Sequence, residues 1–335
     1  CQIMRIGIPK EKNENETRVA IVPVSIPKLA KLGFEVIIEK GAGEKSGYSD
    51  SEYEDKGAKT ESLDEVMKCE LIASIDVPNF DSMKKGQMLA CVADPFRNLE
   101  QTKQIINSGI TLLSLEVIPR RLSKGQSMDV NSSQDNLSGY KAALMGSLNI
   151  AKMVPMMMTS AGTVRPAKFI IQGAAVAGLQ AIATAKRLGA AVQAIDVRLA
   201  AKQDTESLGA KFIDVPGWKD AESSSGHASL FTDKGLQEAF DNALMDAVKD
   251  ADVVITTARL FGANAPKLFF GKDNNDKMTS EMKEGSVIVD MNTDTGGNIV
   301  GSEENKIIEK DGVTIVGIPM LCRTVPNTAS MLYSN

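Results

Sequence analysis

The fold of this chain is decided by the stretch Lys168-Phe169-Ile170-Ile171-Gln172-Gly173-Ala174-Ala175-Val176-Ala177-Gly178. A short apolar run, typical of a buried strand, leads directly into a glycine turn. Apolar residues then recur at helical spacing from 179 to 188, and the next apolar run ends at Asp196. The order strand, glycine turn, helix, strand, acid, with the acid about 20 residues after the first glycine, is the Rossmann fingerprint.

Each part of this motif has a physical role in binding a dinucleotide. Gly173 permits the tight turn, and Gly178 permits close packing of the helix on the sheet. The helix N-terminus presents unpaired N–H groups to a pyrophosphate. Asp196 would accept hydrogen bonds from ribose hydroxyls and repel a 2′-phosphate, which favours NAD over NADP, although Arg198 stands nearby. Ala175 occupies the position of the usual second glycine, and a turn that serves only helix packing is the alternative interpretation.

Apolar runs alternate with helical patterns on both sides of this motif, which predicts an α/β chain with two Rossmann-like, doubly wound parallel sheets. We expect a first domain over residues 1–133, a dinucleotide-binding domain over 134–307, and a return to the first domain over about 308–335. A long helix is expected over 134–153. The predicted strands are 5–8, 35–38, 71–75, 88–92 and 110–113, then 169–171, 191–195, 211–213, 253–255 and 286–289.

Composition limits the classes of function. The 335 residues carry a net charge of −5, which argues against a broad basic surface for nucleic acid. No apolar run is long enough to span a bilayer. Four cysteines lie far apart and His227 is the only histidine, so the sequence predicts no metal site.

The sequence offers no clear proton relay. Dehydrogenases of hydroxy or amino acids need a general acid or base, usually His or Lys. His227 lies in a polar loop, and no lysine stands out. Hydride transfer between two nicotinamides needs only positioning and exclusion of water. An unusual loop over 119–129 contains Arg121, Gln126 and Asp129, and an Arg–Asp pair there would fix its shape.

The chain resembles the NAD(H)-binding domain I of proton-translocating NAD(P) transhydrogenase, which shares its fold with alanine dehydrogenase. The resemblance runs nearly end to end. It is carried by residues 5–11, 16–20, 95–96, 126–129, 132–134, 139–140, 155–159, 178–189, 196–198, 265–267 and 296–298.

The resemblance implies two Rossmann-like domains with a cleft between them and a homodimer of the chain. It implies that NADH bound here donates hydride to NADP+ on a partner NADP(H)-binding domain. Proton translocation through a transmembrane domain of the same enzyme would be coupled to that transfer. The chain would then lie on the soluble face of a membrane-bound enzyme, on the cytosolic or organelle-matrix side, without a span of its own.

The resemblance also implies roles for particular residues. Arg121, Gln126 and Asp129 would surround the nicotinamide as the catalytic loop. The expected cofactor-binding residues are Ser132, Gly173, Ala174, Ala175, Val176, Gly178, Asp196, Val197, Arg198, Gly226 and Leu260. The family's lid usually reads Gly-Tyr-Ala, and here it reads Gly226-His227-Ala228.

Two other functions stay open at this point. One is an amino-acid dehydrogenase similar to alanine dehydrogenase, with a cleft role for Arg18. Against it, Asp76 and Asp94 stand where those enzymes carry a substrate-binding Lys and a catalytic His. The other is a non-catalytic, NAD-responsive binding module. Met153 and the run Met156-Met157-Met158 are expected to pack in the core or in a dimer interface.

Overall fold

The computed structural model describes residues 3–119, 123–218, 231, 233–260, 262–267 and 277–335. The chain divides into two compact units. The first unit comprises residues 1–134 and 322–335, and the second comprises residues 135–321. The two are described separately below.

In the described part of the first unit, six parallel strands form one sheet in the order β3-β2-β1-β4-β5-β6. The strands are β1 (Met4–Ile8), β2 (Phe34–Glu39), β3 (Lys59–Glu61), β4 (Leu71–Ala73), β5 (Met88–Cys91) and β6 (Thr111–Ser114). The helices are α1 (Ile26–Lys31), α2 (Asp50–Asp55), α3 (Leu63–Val66) and α4 (Leu99–Asn107). Both faces of this sheet are covered by buried apolar side chains.

The long helix α5 (Val130–Asn149) follows, and the boundary between the units falls within it. Two short antiparallel strands come next, β7 (Met157–Thr159) and β8 (Gly162–Val164).

The main sheet of the second unit has the order β11-β10-β9-β12-β13-β15-β14 within the described residues, and only β14 runs antiparallel to its neighbour. Its strands are β9 (Lys168–Gln172), β10 (Ala191–Ile195), β11 (Lys211–Phe212), β12 (Val253–Thr256), β13 (Val287–Asp290), β14 (Lys306–Lys310) and β15 (Val313–Gly317). The helices are α6 (Val176–Arg187), α7 (Ala200–Ser207), α8 (Lys234–Lys249) and α9 (Met278–Glu281), and α10 (Pro326–Ser334) ends the chain in the first unit.

The central strands of the second sheet are apolar on both faces. Phe169 and Ile171 join one buried cluster, while Ile170 between them joins the other. Because side chains alternate along a strand, a run with no polar position is expected only where helices cover both faces. The predicted fold class, two Rossmann-like parallel α/β sheets, is therefore confirmed.

The chain returns to the first unit later than the sequence suggested. We expected the return at about residue 308, but β15 pairs with β13 and β14 pairs with β15, so residues 308–321 belong to the second unit. Ile315 and Val316 are fully buried because β14 covers the outer side of β15. The return begins at Cys322.

Helix α5 begins four residues before its predicted start, at Val130 instead of 134. Asp129 accepts hydrogen bonds from the main-chain N–H groups of Asn131 and Ser132, both at 3.0 Å. This is the geometry of an N-cap, which satisfies N–H groups that lack a partner in the first helical turn. The cap therefore sets where the helix begins, and the apolar periodicity does not.

Helix α5 packs on the start of α6 through a contact without side chains. A Cβ atom placed on Gly139 would lie 2.0 Å from the carbonyl oxygen of Ala177. No real Cβ tolerates that distance to backbone, so α5 and α6 approach closely only because residue 139 is glycine. The contact fixes the first turn of α6, which follows the glycine turn at 173.

We expect Gly139→Ala to lower the free energy of unfolding by about 1–3 kcal/mol, because the added methyl group overpacks a backbone contact. Urea denaturation followed by circular dichroism measures it. Gly235→Ala is the matched control, since its Cβ would lie 3.4 Å from the nearest side-chain atom, an ordinary contact. The control should be neutral or stabilising by up to about 1 kcal/mol. Equal stabilities of the two variants would contradict the close approach.

Candidate nucleotide-binding site

The strand order of the second sheet places a topological switch point between β9 and β12. From β9 the chain continues to β10 on one side, and β12 lies on the other. Open α/β sheets bind ligands outside the carboxyl ends of the strands at such a point. Gly173 is the first residue after β9, so the glycine turn lies at the position where this fold class binds ligands.

The turn after β9 has no room for side chains at its two glycines. Gly173 has a φ of +87°, and a Cβ there would lie 2.4 Å from Oγ1 of Thr257. A Cβ on Gly178 would lie 1.8 Å from the carbonyl oxygen of Gly173. The hydroxyl of Thr257 donates to the carbonyl oxygens of Gln172 and Gly173 at 3.1 and 2.9 Å. It ties the end of β12 to the turn, and sequence reasoning did not identify it.

The first turn of α6 faces the same point. Ala175 precedes the helix in an extended conformation, and no described side chain caps the N-terminus. The N–H groups of the first helical turn therefore remain available to an anion, and the helix dipole favours negative charge there. The methyl group of Ala175 is exposed, so it borders this position without filling it. These groups fit the pyrophosphate of a dinucleotide.

Asp196 is the acid at the end of β10, and it is only 5% exposed. Its Oδ2 accepts a hydrogen bond from the N–H of Ala174 at 2.7 Å, which holds the turn. Arg198 donates to the same carboxylate from its main-chain N at 2.8 Å, from Nε at 3.0 Å and from Nη2 at 2.9 Å. The carboxylate therefore organises the turn and pairs with a cation, in addition to any ribose contact. Val197, between the two, accepts from Nε1 of Trp218 at 3.2 Å.

A buried amide network follows β13 and fixes the segment after β12. Nδ2 of Asn292 and Nδ2 of Asn298 both donate to the carbonyl oxygen of Ala258, at 3.1 and 2.9 Å. The two asparagines also bond each other at 2.7 Å. Leu260, half-buried, lies two residues beyond Ala258. Sequence reasoning missed this network; its signal was a pair of asparagines around the Gly296-Gly297 turn.

In the first unit, three of the predicted site residues lie at the start of α5. Gln126 is exposed within a short 3-10 helix, Gln126–Met128. Asp129 caps α5, and its other carboxylate oxygen accepts from the hydroxyl of Ser132. Arg121, in the same loop, lies outside the described residues, as do Gly226 and His227.

Arg18 belongs to a buried ion network. Its Nε and Nη2 donate to the two carboxylate oxygens of Glu16 at 2.7 and 2.8 Å, and Nη1 donates to Gln134 at 3.0 Å. Arg323 also pairs with Glu16, at 2.7 Å. Burial alone would raise the pKa of Glu16, but the hydrogen bonds and charge of Arg18, together with Arg323, lower it. The guanidinium of Arg18 is thus held by the protein itself.

Neither a metal centre nor a membrane span is found in the part of the chain that the structure describes. These residues contain no group of His, Cys, Asp and Glu side chains able to hold a metal ion. Among the described helices, none combines the length and the apolar character needed to cross a membrane.

Comparison with known families agrees with this arrangement. Residues 7–138 match the family described as alanine dehydrogenase/PNT, N-terminal domain, and residues 142–335 match the corresponding C-terminal domain. The chain is 41% identical to an NAD(P) transhydrogenase alpha subunit of Rickettsia prowazekii, covering 99% of this chain and 87% of that one.

Two solved structures are similar in fold. The transhydrogenase from Sinorhizobium meliloti superposes with a TM-score of 0.87 at 39% identity, covering 98% of this chain and 90% of that one. An L-alanine dehydrogenase superposes with a TM-score of 0.81 at 25% identity, covering 99% and 87%. Membership of this family implies a nicotinamide dinucleotide as cofactor. The chain belongs to the alanine dehydrogenase/PNT family, and within it to the NAD(P) transhydrogenase alpha subunits, as an oxidoreductase component of that enzyme.

Proposed function

We propose that this chain binds NADH at the turn after β9 and donates its hydride to NADP+ held by a separate NADP(H)-binding domain. In the complete enzyme this transfer is coupled to proton translocation through a transmembrane domain. The observation that carries the proposal is the turn itself. Gly173 and Gly178 leave space for a pyrophosphate, the N-terminus of α6 is uncapped, and Asp196 stands at the end of β10.

The first unit supports transfer without a proton relay. An amino-acid dehydrogenase would need a cation for the substrate carboxylate and a base of nearly neutral pKa. Arg18 is committed to Glu16 and Gln134. Asp76 and Asp94 stand where alanine dehydrogenases carry Lys and His, and a carboxylate cannot replace imidazole in proton transfer at neutral pH. Direct transfer between two nicotinamides requires only that the rings be aligned.

The roles of the bound groups follow from these residues. NADH, when bound, supplies the hydride. The first turn of α6 and the turn after β9 would hold the pyrophosphate, and Asp196 would accept from the adenosine ribose. Arg121, Gln126 and Asp129 would orient the dihydronicotinamide, with Ser132 fixing the Asp129 carboxylate. Leu260, Val197 and Gly226 would contact the nucleotide.

A mixture of the chain, NADH and an NADP+-loaded partner domain tests the function and the Asp129 role together. We expect hydride exchange by the wild type, slowed at least about tenfold in Asp129→Asn, with the Kd for NADH changed less than about threefold. Asparagine caps a helix as well as aspartate does, so this variant removes charge without removing the cap. Stopped-flow absorbance measures the rate. Turnover of alanine or pyruvate by the chain alone would instead support a dehydrogenase, and equal effects on rate and binding would refute the orienting role.

We expect Asp196→Ala to weaken NADH binding by about 1–3 kcal/mol, because charged hydrogen bonds to the ribose and to the Ala174 turn are lost. The released Arg198 should also narrow the preference for NADH over NADPH. Titration calorimetry with both nucleotides measures this. Asp214→Ala is the matched control, since Asp214 pairs with Lys202 at the surface and contributes little. Unchanged affinity in Asp196→Ala would rule out the ribose role.

We propose that the chain forms a homodimer through the methionine arm, defined as Met153 and the run Met156–Met158 at β7. Core packing of these residues was the other expectation, and the structure excludes it: Met156 is 59% exposed and Met158 is 74% exposed. Adjacent exposed apolar side chains on a short hairpin are typical of an interface. A second copy of this chain is the partner that the family resemblance indicates.

The double variant Met156→Ser/Met158→Ser should raise the dimer dissociation constant at least about tenfold, because two apolar side chains no longer contribute burial. Sedimentation equilibrium measures it. Leu32→Ser, which removes an equally exposed leucine at the end of α1, is the control and should leave the dimer unchanged. A monomeric wild type, or a double variant that dimerises normally, would disprove the interface.

A further inference from the structure

Glu116 joins the ends of two strands in the first unit. It lies in a short 3-10 helix, Leu115–Val117, that follows β6. Its Oε1 accepts hydrogen bonds from the main-chain N–H of Asp94 at 2.6 Å and from the hydroxyl of Ser114 at 2.7 Å. Asp94 follows β5 with a φ of +46°, a left-handed conformation that is uncommon for residues other than glycine. The Glu116 carboxylate is therefore the partner of an N–H group in an unusual turn.

The main chain of Glu116 reaches the segment that contains Asp129. Its carbonyl oxygen accepts from Nδ2 of Asn131 at 2.9 Å. Asn131 is the second residue of α5, and its own N–H donates to Oδ1 of Asp129 at 3.0 Å. Two successive hydrogen bonds thus link Glu116 to the Asp129 carboxylate. The turn after β5, the 3-10 helix after β6 and the start of α5 are held together at one residue.

One oxygen of Glu116 has no role in this tie. Its Oε2 is buried and has no hydrogen-bond partner among the described residues. A buried carboxylate oxygen without a partner destabilises a fold, so folding alone does not account for a glutamate here. Glutamine has the same shape, and its amide oxygen would accept both side-chain hydrogen bonds. The pair Glu and Gln at this position therefore separates geometry from charge.

We propose that Glu116 is a positioning residue for hydride transfer: it fixes the main chain at Asn131, and through it the Asp129 carboxylate that orients the donor ring. This inference rests on the proposed function of Asp129. Glu116 does not touch the cofactor in this account. Its effect is on the alignment of the nicotinamide and not on the affinity for the nucleotide, because the pyrophosphate and the adenosine ribose are held by the second unit.

The test compares Glu116→Ala, Glu116→Gln and the control Asn98→Ala in the full chain. Asn98 also ties the turn after β5, through Nδ2 to the carbonyl oxygen of Ala93 at 3.2 Å, but has no link to Asp129. Single-turnover transfer from NADH to an NADP+-loaded partner domain gives the rate, and calorimetry gives the Kd for NADH. We expect Glu116→Ala to slow transfer at least about tenfold with the Kd changed less than about threefold, while Glu116→Gln and the control stay within about threefold of the wild type.

Three results would overturn the proposal: an unchanged rate in Glu116→Ala, equal slowing by Ala and Gln, or equal effects on rate and Kd. If Glu116→Ala fails to fold, Asn131→Ala replaces it, since this variant removes only the Nδ2 donor and should also slow transfer selectively. Amide hydrogen exchange at Asn131 and Ser132 provides a readout that needs no acceptor. Exchange should accelerate in Glu116→Ala and not in Glu116→Gln. A wild type that transfers no hydride refutes the proposed function, whereas unchanged amide exchange refutes the role of Glu116.

Discussion

The turn after β9 lies against backbone on two sides, and everything that binds at the second sheet depends on that close approach. Gly178 meets the carbonyl oxygen of Gly173 without an intervening side chain, and Gly139 meets Ala177 in the same way one helix further out. These contacts bring the first turn of α6 down onto the sheet, so that its N–H groups lie level with the strand ends. A methyl group at either glycine would lift the helix and move its uncapped N-terminus away from Asp196.

The two units use the carboxyl edges of similar sheets in opposite ways. In the first unit, the protein's own carboxylates occupy N–H groups at the strand ends. Glu11 accepts from Ile75 and Asp76 at 2.6 and 3.1 Å, and Glu116 accepts from Asp94. Burial raises the pKa of Glu11 to about 8. In the second unit the first turn of α6, at the equivalent edge, keeps its N–H groups for an external anion. One fold therefore serves as a scaffold in one unit and as a binding surface in the other.

The features that the sequence predicted are those fixed by local pattern. Apolar runs identified the central strands, because burial on both faces leaves no polar position, and Gly173 was identified because its φ of +87° suits glycine alone. What escaped prediction depends on contacts distant in the chain. The edge strand β14, with exposed Ile307, has no distinctive pattern, so the return to the first unit was misplaced. The hydroxyl of Thr257 and the amide network around Asn292 acquire their roles only when β12 and β13 stand beside β9.

A reaction that moves a hydride between two similar rings places its demand on geometry, and the polar residues of this chain are arranged accordingly. Their hydrogen bonds end on main-chain atoms: Asp196 on Ala174, Asp129 on Asn131, Glu116 on Asp94. A group that must exchange protons with substrate is poorly served by such bonds, because each one favours a single charge state of the carboxylate. The same bonds are well suited to holding backbone in place. Fixed carboxylates that define where loops begin are what a hydride donor needs, since misalignment by about 1 Å is enough to slow a transfer about a hundredfold.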